Sequence, residues 1–226
     1  LILTMIMLRG MNRSLFDILT GKTTVSSGPS SSRQATASPV RTRDASENRD
    51  IDVSKLMNAG RVIMVPGYGM ALAQAQWQVK SLYDELKQRG VDVKFAIHPV
   101  AGRMPGHMNV LLAEVEIPYD RLYDLKEINH EFSDTDVVVV VGACDVVNPA
   151  ANTASGTPIY GMPVLNVQEA GHVIVCNRDD RPGYSGVENS LYVHSNVTLV
   201  TGDAADSLNA IISALQQTEL PYSYTA

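Results

Sequence analysis

The chain has 226 residues, of which 45% are hydrophobic, and its formal net charge is -6 at pH 7. This composition is sufficient for a sizeable core in one domain or in two small ones. The acidic balance argues against a nucleic-acid-binding surface, which would need a basic patch. Cys144 and Cys176 each end an apolar, strand-like run, so we expect two reduced, partly buried thiols and not a disulfide.

The first 50 residues differ in composition from the remainder. Residues 1–8 form an apolar run closed by Arg9, which is too short to cross a bilayer, since a spanning helix needs ~20 residues. We interpret residues 1–19 as the end of a transmembrane segment and its exit from the membrane, with an amphipathic helix or a tag-derived sequence as the alternative. Residues 20–50 are rich in Ser, Thr, Arg, Gly and Pro, which predicts a flexible linker before a folded domain over residues 51–226.

Strands and helices alternate from about residue 51 onward. The predicted strands cover residues 62–65, 91–97, 122–125, 136–141, 172–176 and 197–201. One predicted helix carries an apolar face of Leu72, Ala75, Val79, Leu82 and Leu86 and ends at Gly90, and two more cover residues 108–116 and 204–217. The run of valines over residues 137–141 indicates a strand buried on both faces. The sequence therefore predicts an α/β fold with a doubly wound, six-stranded parallel sheet, Rossmann-like, with helices on both faces.

The turn after the first strand reads Gly67-Tyr68-Gly69. Glycines between a strand and a helix favour a close approach to a phosphate group, so a dinucleotide is the first hypothesis. An ordinary turn is the alternative, because Leu72 stands where the usual fingerprint has its third glycine. The second strand ends in His98-Pro99 and not in the Asp or Glu that holds the ribose of NAD in the usual orientation.

Polar and glycine-rich segments follow each predicted strand except the short third one. Because the carboxyl ends of parallel strands share one edge of the sheet, we expect a single ligand crevice lined by these segments. Neither His98 nor His107 has neighbouring ligands at metal-site spacing, so no metal is expected. Ser185 does not lie in a nucleophile-elbow motif, which excludes a hydrolase of that type.

Several ordered segments of the chain are distinctive: VPGYGMALAQAQ (65–76), AIHPVAGRMPGHMNVLLAE (96–114), EINHEF (127–132), GACDVVNPAA (142–151), GMPVLNV (161–167), GYSGVEN (183–189) and GDA (202–204). Together they resemble a known family, the NADP(H)-binding domain at the carboxyl end of the beta subunit of proton-translocating NAD(P) transhydrogenase. The similarity covers roughly residues 52–215, and residues 9–16 also resemble the segment that leaves the last membrane helix in that family.

The resemblance implies NADP(H) bound in the orientation opposite to the usual one, with Asp145 as the polar, catalytic anchor beside the nicotinamide. Hydride would pass directly to or from NAD(H) on a partner domain. The implied partners are that NAD(H)-binding domain and a proton-translocating membrane domain, in a dimeric holoenzyme on the mitochondrial matrix or bacterial cytoplasmic side. The implied nucleotide contacts are Gly67, Tyr68, Gly69, Met70, Ala71, Val100, Ala101, Gly102, Arg103, Met104, Pro105, Gly142, Ala143, Cys144, Asp145, Val146, Gly161, Met162, Asn177, Arg178, Asp179, Asp180, Arg181, Pro182, Gly183, Tyr184, Asp203 and Ala204.

The chain departs from the family where a lid is implied over the adenosine end. The family typically has Lys-Arg-Ser there, whereas this chain has Asn177-Arg178-Asp179-Asp180. We expect Arg178 and Arg181 to form the clamp for the 2′-phosphate of NADP(H). The alternative is a non-catalytic dinucleotide-binding or sensing module with altered nucleotide preference, because a carboxylate is the usual partner of the NAD ribose.

Three of the implied site residues also have simpler interpretations. Asp145 could cap the turn after its strand, and Asp203 is a good helix N-cap. Tyr184 lies between glycines and could serve only to pack the loop.

Overall fold

The structure, a computed structural model, describes residues 53–217, so the predicted membrane-exit segment and linker lie outside the described residues. The strands are β1 Arg61–Pro66, β2 Asp92–Ile97, β3 Leu122–Asp124, β4 Val137–Val141, β5 His172–Asn177 and β6 Val197–Thr201. The α-helices are α1 Ser54–Met57, α2 Tyr68–Leu72, α3 Gln76–Gln88, α4 His107–Glu114, α5 Leu125–Ile128, α6 Ala150–Thr153 and α7 Ala204–Gln217. Short 3₁₀ helices cover Tyr119–Arg121, Asn129–Asp134, Asp145–Val147, Val167–Glu169 and Ser190–Val193.

The six strands form one parallel sheet in the order β3-β2-β1-β4-β5-β6. The order reverses between β1 and β4, so right-handed crossovers place the connections on opposite faces. All five valines of β4 are buried, as the sequence predicts. This arrangement confirms the doubly wound, Rossmann-like prediction.

The predicted first helix is wrong in one respect, because the structure has two helices in its place. Leu72 is 68% exposed at the end of α2, and the chain turns at Gln74, whose φ is 51°. The buried apolar face begins with Ala75, the residue before α3, and continues through Val79, Leu82 and Leu86. The helical period continues through the break in the sequence, so periodicity alone predicts a single helix.

Smaller differences occur at element ends. α4 ends at Glu114, two residues before the predicted end, and Glu116 has a φ of 58°. Leu125, predicted to end the third strand, instead begins α5, for which Asp124 and Glu127 form a capping box.

Both cysteines are free thiols, as expected. Cys176 is buried within β5, and burial raises its pKa to about 12, which keeps the thiol protonated. Within the described part of the chain, no helix has the length and apolar character of a membrane span.

Candidate functional site

The carboxyl edge of the sheet carries five connecting segments. We call them the β1 turn (residues 67–75), the β2 loop (98–106), the β4 loop (142–149), the β5 loop (178–189) and the β6 turn (202–203). The β1 turn and the β4 loop are neighbours, because β1 pairs with β4 at the point where the strand order reverses. In doubly wound sheets this is the position of the ligand crevice.

At this position, glycines of the β1 turn and the β4 loop bring the two backbones into contact. Gly67 N–H donates to Val141 O, and Gly69 N–H donates to Gly142 O, both at 2.8 Å. A Cβ on Gly67 would lie 2.4 Å from Gly142 O, and a Cβ on Gly142, whose φ is 65°, would lie 2.3 Å from Met70 N. These glycines are therefore required for backbone-to-backbone packing of the two segments, and two of their amides are already used there.

His98 joins the β2 loop to the segment that contains Gly161 and Met162. Its Nδ1 lies 3.2 Å from the Val100 N–H and its Nε2 lies 2.7 Å from Pro163 O. Since an amide can only donate and a carbonyl can only accept, these contacts define a neutral ring with its proton on Nε2. Burial lowers the pKa of His98, which also favours the neutral form. In the sequence, the only signal for this role is a polar residue directly after a buried strand.

The β2 loop lies over the β1 turn. The guanidinium of Arg103 is 4.5 Å from the centre of the Tyr68 ring, a stacked cation–π contact. Gly102 has a φ of 129°, and a Cβ there would lie 2.7 Å from His107 Nδ1. Ala101 is buried, whereas Arg103 and the flanking Val100, Met104 and Pro105 are exposed. The structure thus brings the implied contacts of the β1 turn and the β2 loop to one place and leaves the Arg103 charge available to solvent.

Asp145, expected beside the nicotinamide, makes its contacts with the β5 loop. Its carboxylate accepts from Ser185 N–H at 2.9 Å and from Ser185 Oγ–H at 2.7 Å. A Cβ on Gly183 would lie 2.9 Å from the same carboxylate, so the loop passes close over it. The neighbouring Val146 is buried in the core. In this structure the Asp145 carboxylate fixes the β5 loop against the β4 loop.

Buried amide side chains fasten the β4 loop to the two ends of the β5 loop. Asn177 Nδ2 donates to Ala143 O at 2.9 Å and to Tyr192 Oη at 2.8 Å. Asn148 Nδ2 donates to Glu188 O, and Asn189 Nδ2 donates to Cys144 O, both at 3.1 Å. Of these donors, sequence reasoning identified only Asn177. An asparagine in a loop is typical of turns, so the sequence does not distinguish a surface turn from a buried cross-link.

Cys144 lies beneath this cross-linked region and is half-buried. Its Sγ is 3.6 Å from Tyr192 Oη, and burial raises the pKa of the thiol. The thiol is therefore protonated at neutral pH and acts as a small packing group.

The remainder of the β5 loop is exposed. Arg178, Asp179, Asp180, Arg181 and Pro182 all face solvent. The Arg181 N–H donates to Asp179 Oδ1 at 3.1 Å, and the Arg181 guanidinium lies 4.0 Å from the Asp179 carboxylate. An exposed pair of this kind contributes little to stability, so the charges are free to rearrange around a ligand.

Tyr184 is fully exposed, so the interpretation of this side chain as a packing group is wrong. Its ring faces solvent and packs against no part of the core.

The other predicted positions border the same edge. Asp203 caps α7, since its Oδ1 accepts from Ala205 N–H at 2.9 Å, and Ala204 is buried. Met162 packs on a small apolar cluster that also receives Val187 from the β5 loop. Gly161 is exposed beside Met162. Most of the predicted site residues thus lie in the five segments of the carboxyl edge. Asn177 ends β5 and Ala204 begins α7, directly beside these segments. Met162, which follows Gly161, packs in the same cluster as Val187 of the β5 loop.

A depression of about 450 Å³ lies at the opposite, amino-terminal edge of the sheet. Lys55, Asp134, Asp136 and His172 are among its lining residues. None of the expected site residues borders it, and the polar strand ends that the fold uses for ligands are elsewhere, so we do not assign the candidate site to it. Residues 53–217 contain no cluster of His, Cys, Asp and Glu arranged to bind a metal ion.

The strand order, the glycine-lined switch point and the convergent loops define a doubly wound α/β domain of the class that binds nucleotides at the carboxyl edge. The family model described as "NAD(P) transhydrogenase beta subunit" matches residues 1–214. A curated protein from Rhodospirillum rubrum, "NAD(P) transhydrogenase subunit beta", is 47% identical over 215 residues, which are 95% of this chain and 46% of that protein. The chain belongs to the NAD(P) transhydrogenase beta subunit family, and it spans about half the length of the curated relatives it matches.

Two solved structures resemble the chain at a low level. An exopolyphosphatase-related protein from Bacteroides fragilis gives a TM-score of 0.43 at 14% identity, with 75% of this chain and 44% of that chain covered. Exonuclease RecJ bound to manganese gives 0.38 at 17% identity, with 72% and 35% covered. Neither likeness carries an argument about function.

Proposed function

We propose that this chain is the NADP(H)-binding domain of a proton-translocating NAD(P) transhydrogenase. The observation that carries the proposal is the match of the beta subunit family over residues 1–214, together with the reversal of strand order between β1 and β4, where a doubly wound sheet binds its ligand. The domain would present the nicotinamide of NADP(H) for direct hydride transfer with NAD(H) held by a partner domain.

The residues at the carboxyl edge fit a dinucleotide in the reversed orientation. Gly67, Gly69 and Gly142 let the β1 turn and the β4 loop approach each other closely at the point where the strand order reverses. The end of β2 offers no carboxylate, and both ring nitrogens of His98 are engaged by protein atoms, so the usual ribose contact of NAD is missing there. Arg103 on the β2 loop and Arg178 with Arg181 on the β5 loop are exposed cations on either side, suited to phosphate groups.

NADP(H), when bound, supplies the hydride or accepts it. The protein then needs no general acid or base and acts by positioning and by excluding water. The β1 turn and the β4 loop give a rigid floor, because their backbones are in contact. The β5 loop would cover the nucleotide from the other side, and Asp145 holds this loop through Ser185.

We propose NADP(H) and not NAD(H) as the ligand, with Arg178 and Arg181 as the clamp for the 2′-phosphate. For this role Arg181 must exchange its weak contact with Asp179 for the phosphate, which an exposed pair at 4.0 Å allows. Asp179 and Asp180 favour the alternative, a dinucleotide-binding or sensing module that prefers NAD(H), because a carboxylate repels a phosphate and accepts from a ribose hydroxyl.

The proposed partners follow from the family. Catalysis would require an NAD(H)-bearing domain docked at the carboxyl edge and a proton-translocating membrane domain, in a dimeric holoenzyme. The domain would lie on the mitochondrial matrix or bacterial cytoplasmic side of the membrane.

Calorimetric titration of the full chain, stripped of nucleotide, with NADP(H) and NAD(H) tests the proposal. We expect a preference for NADP(H) that falls about tenfold or more in Arg178→Gln and Arg181→Gln, since each removes a charge-assisted contact. Lys126→Gln, an exposed charge change on α5, is the matched control and should bind as the wild type does. Equal affinity for both nucleotides, or a preference for NAD(H), would support the sensing-module alternative.

A further inference from the structure

The β5 loop contains a tight turn whose centre is fastened to Asp145. Gly186 N–H donates to Gly183 O at 3.1 Å and closes the turn around Ser185. The Ser185 Oγ donates to Asp145 Oδ1 at 2.7 Å and accepts from Val187 N–H at 3.1 Å. The Ser185 hydroxyl therefore links Asp145 of the β4 loop to Val187, the residue that follows the turn.

The hydrogen bonds that hold the β5 loop differ in how deeply they are buried. At its two ends, Asn177 and Asn189 are buried and hold backbone carbonyls of the β4 loop. Between Asn177 and Glu188, the β5 loop is joined to the β4 loop by the Gly183 backbone, which hydrogen-bonds the Cys144 thiol, and by two hydrogen bonds from Ser185 to the Asp145 carboxylate. The contact of Ser185 with Asp145 is half-buried and accessible to water, so it can break while the ends stay closed.

We propose that Ser185 and Asp145 form a latch that sets the rate at which the β5 loop opens. Ser185 is a positioning residue, because it acts on the loop through Asp145. The consequence for nucleotide exchange rests on the proposed function, whereas the latch itself does not.

The latch predicts a kinetic signature. The loop must open both for nucleotide to enter and for nucleotide to leave. Because Ser185 contacts Asp145 and not the ligand, removing its hydroxyl shifts the closed-to-open equilibrium by the same factor with and without nucleotide. The association and dissociation rates should then both rise, by about tenfold for one lost hydrogen bond to a carboxylate, and the Kd should stay within about twofold.

The test uses the full chain with Ser185→Ala, with the conservative Ser185→Thr, which retains the hydroxyl, and with Ser190→Ala, an exposed serine after the loop, as the control. The first measurement is amide hydrogen exchange over residues 183–186 without nucleotide, because the Val187 N–H loses its own acceptor when the hydroxyl is removed. We expect about tenfold faster exchange in Ser185→Ala and wild-type exchange in the other two variants. Equal exchange in Ser185→Ala and Ser190→Ala would overturn the latch, whether or not the chain binds nucleotide.

The second measurement is stopped-flow fluorescence of NADPH binding and release by the same variants. A rise in both rates at constant Kd is the expected result. A rise in dissociation alone, with weaker binding, would mean that Ser185 contacts the nucleotide directly and would overturn the latch. Absence of NADPH binding by the wild type would contradict the proposed function, and hydrogen exchange would still decide the latch.

Discussion

The β1 turn and the β5 loop lie at the same edge of the sheet but are held in place by different means. The β1 turn is fixed by contacts of its backbone with the β4 loop, at a separation that only glycine permits. The β5 loop is fixed by side-chain hydrogen bonds from Asn148, Asp145 and Asn189. The close backbone packing of the β1 turn leaves no room for water, whereas the hydrogen bonds of the β5 loop can be replaced by hydrogen bonds to water. The candidate site thus combines a turn fixed by backbone packing with a loop fixed by polar contacts.

The largest effect is expected at Gly142, on the rigid side. Gly142→Ala combines a φ of 65° with a Cβ 2.3 Å from Met70 N, so we expect the free energy of unfolding to fall by about 4 kcal/mol or more. Gly156→Ala is the control, because Gly156 has a φ of 86° and open space around it, and should cost about 1 to 2 kcal/mol. Chemical denaturation measures both, and similar losses would show that close packing is not what fixes the floor.

A smaller loss is expected for Asn148→Ala, on the polar side. It leaves the Glu188 carbonyl and the Ala150 N–H without their side-chain partner, which should cost about 2 kcal/mol. Exposed Asn152→Ala on α6 is the matched control and should cost less than about 0.5 kcal/mol. Faster hydrogen exchange confined to the β4 and β5 loops should accompany the loss. Uniformly faster exchange across the sheet would contradict a role specific to the loops.

We expect His98 to make the free energy of unfolding depend on pH, because its contacts with Val100 and Pro163 require the neutral ring. Burial lowers its pKa below the ordinary 6.5, so the unfolded chain takes up a proton at a pH where the folded chain does not. The stability that neutral His98 contributes is complete above about pH 6.5 and declines as the pH falls below it. His98→Gln should remove part of this slope in the unfolding free energy, and His130→Gln, an exposed control, should not. Parallel pH profiles for wild type and His98→Gln would contradict the assignment.

The smallest effect on stability is expected at Arg181. Its side chain is 83% exposed and 4.0 Å from Asp179, so Arg181→Gln should change the unfolding free energy by less than about 0.5 kcal/mol. The same variant should weaken NADP(H) binding, as proposed above. A loss of stability as large as that of Asn148→Ala would mean that Arg181 holds the loop and not the ligand.

The sequence predicts the buried strands better than the hydrogen bonds that hold the β5 loop. The valines of β4 reveal a buried parallel strand, because a strand covered on both faces needs apolar residues at every position. Leu72 was misplaced, because hydrophobic spacing does not register the chain reversal at Gln74. Asn148 and Asn189 were missed, because their partners are backbone carbonyls far away in sequence. The family resemblance implies which residues form the site but not which atoms are in contact. It therefore does not reveal that Ser185 donates hydrogen bonds to the Asp145 carboxylate.

Hydrogen exchange of the full chain with and without saturating NADP⁺ tests the central claim most directly. The account predicts slower exchange in the β1 turn, the β4 loop and residues 178–187, and unchanged exchange around Lys55 and His172 at the amino edge. Slower exchange at the amino edge, with the carboxyl-edge loops unaffected, would contradict the account.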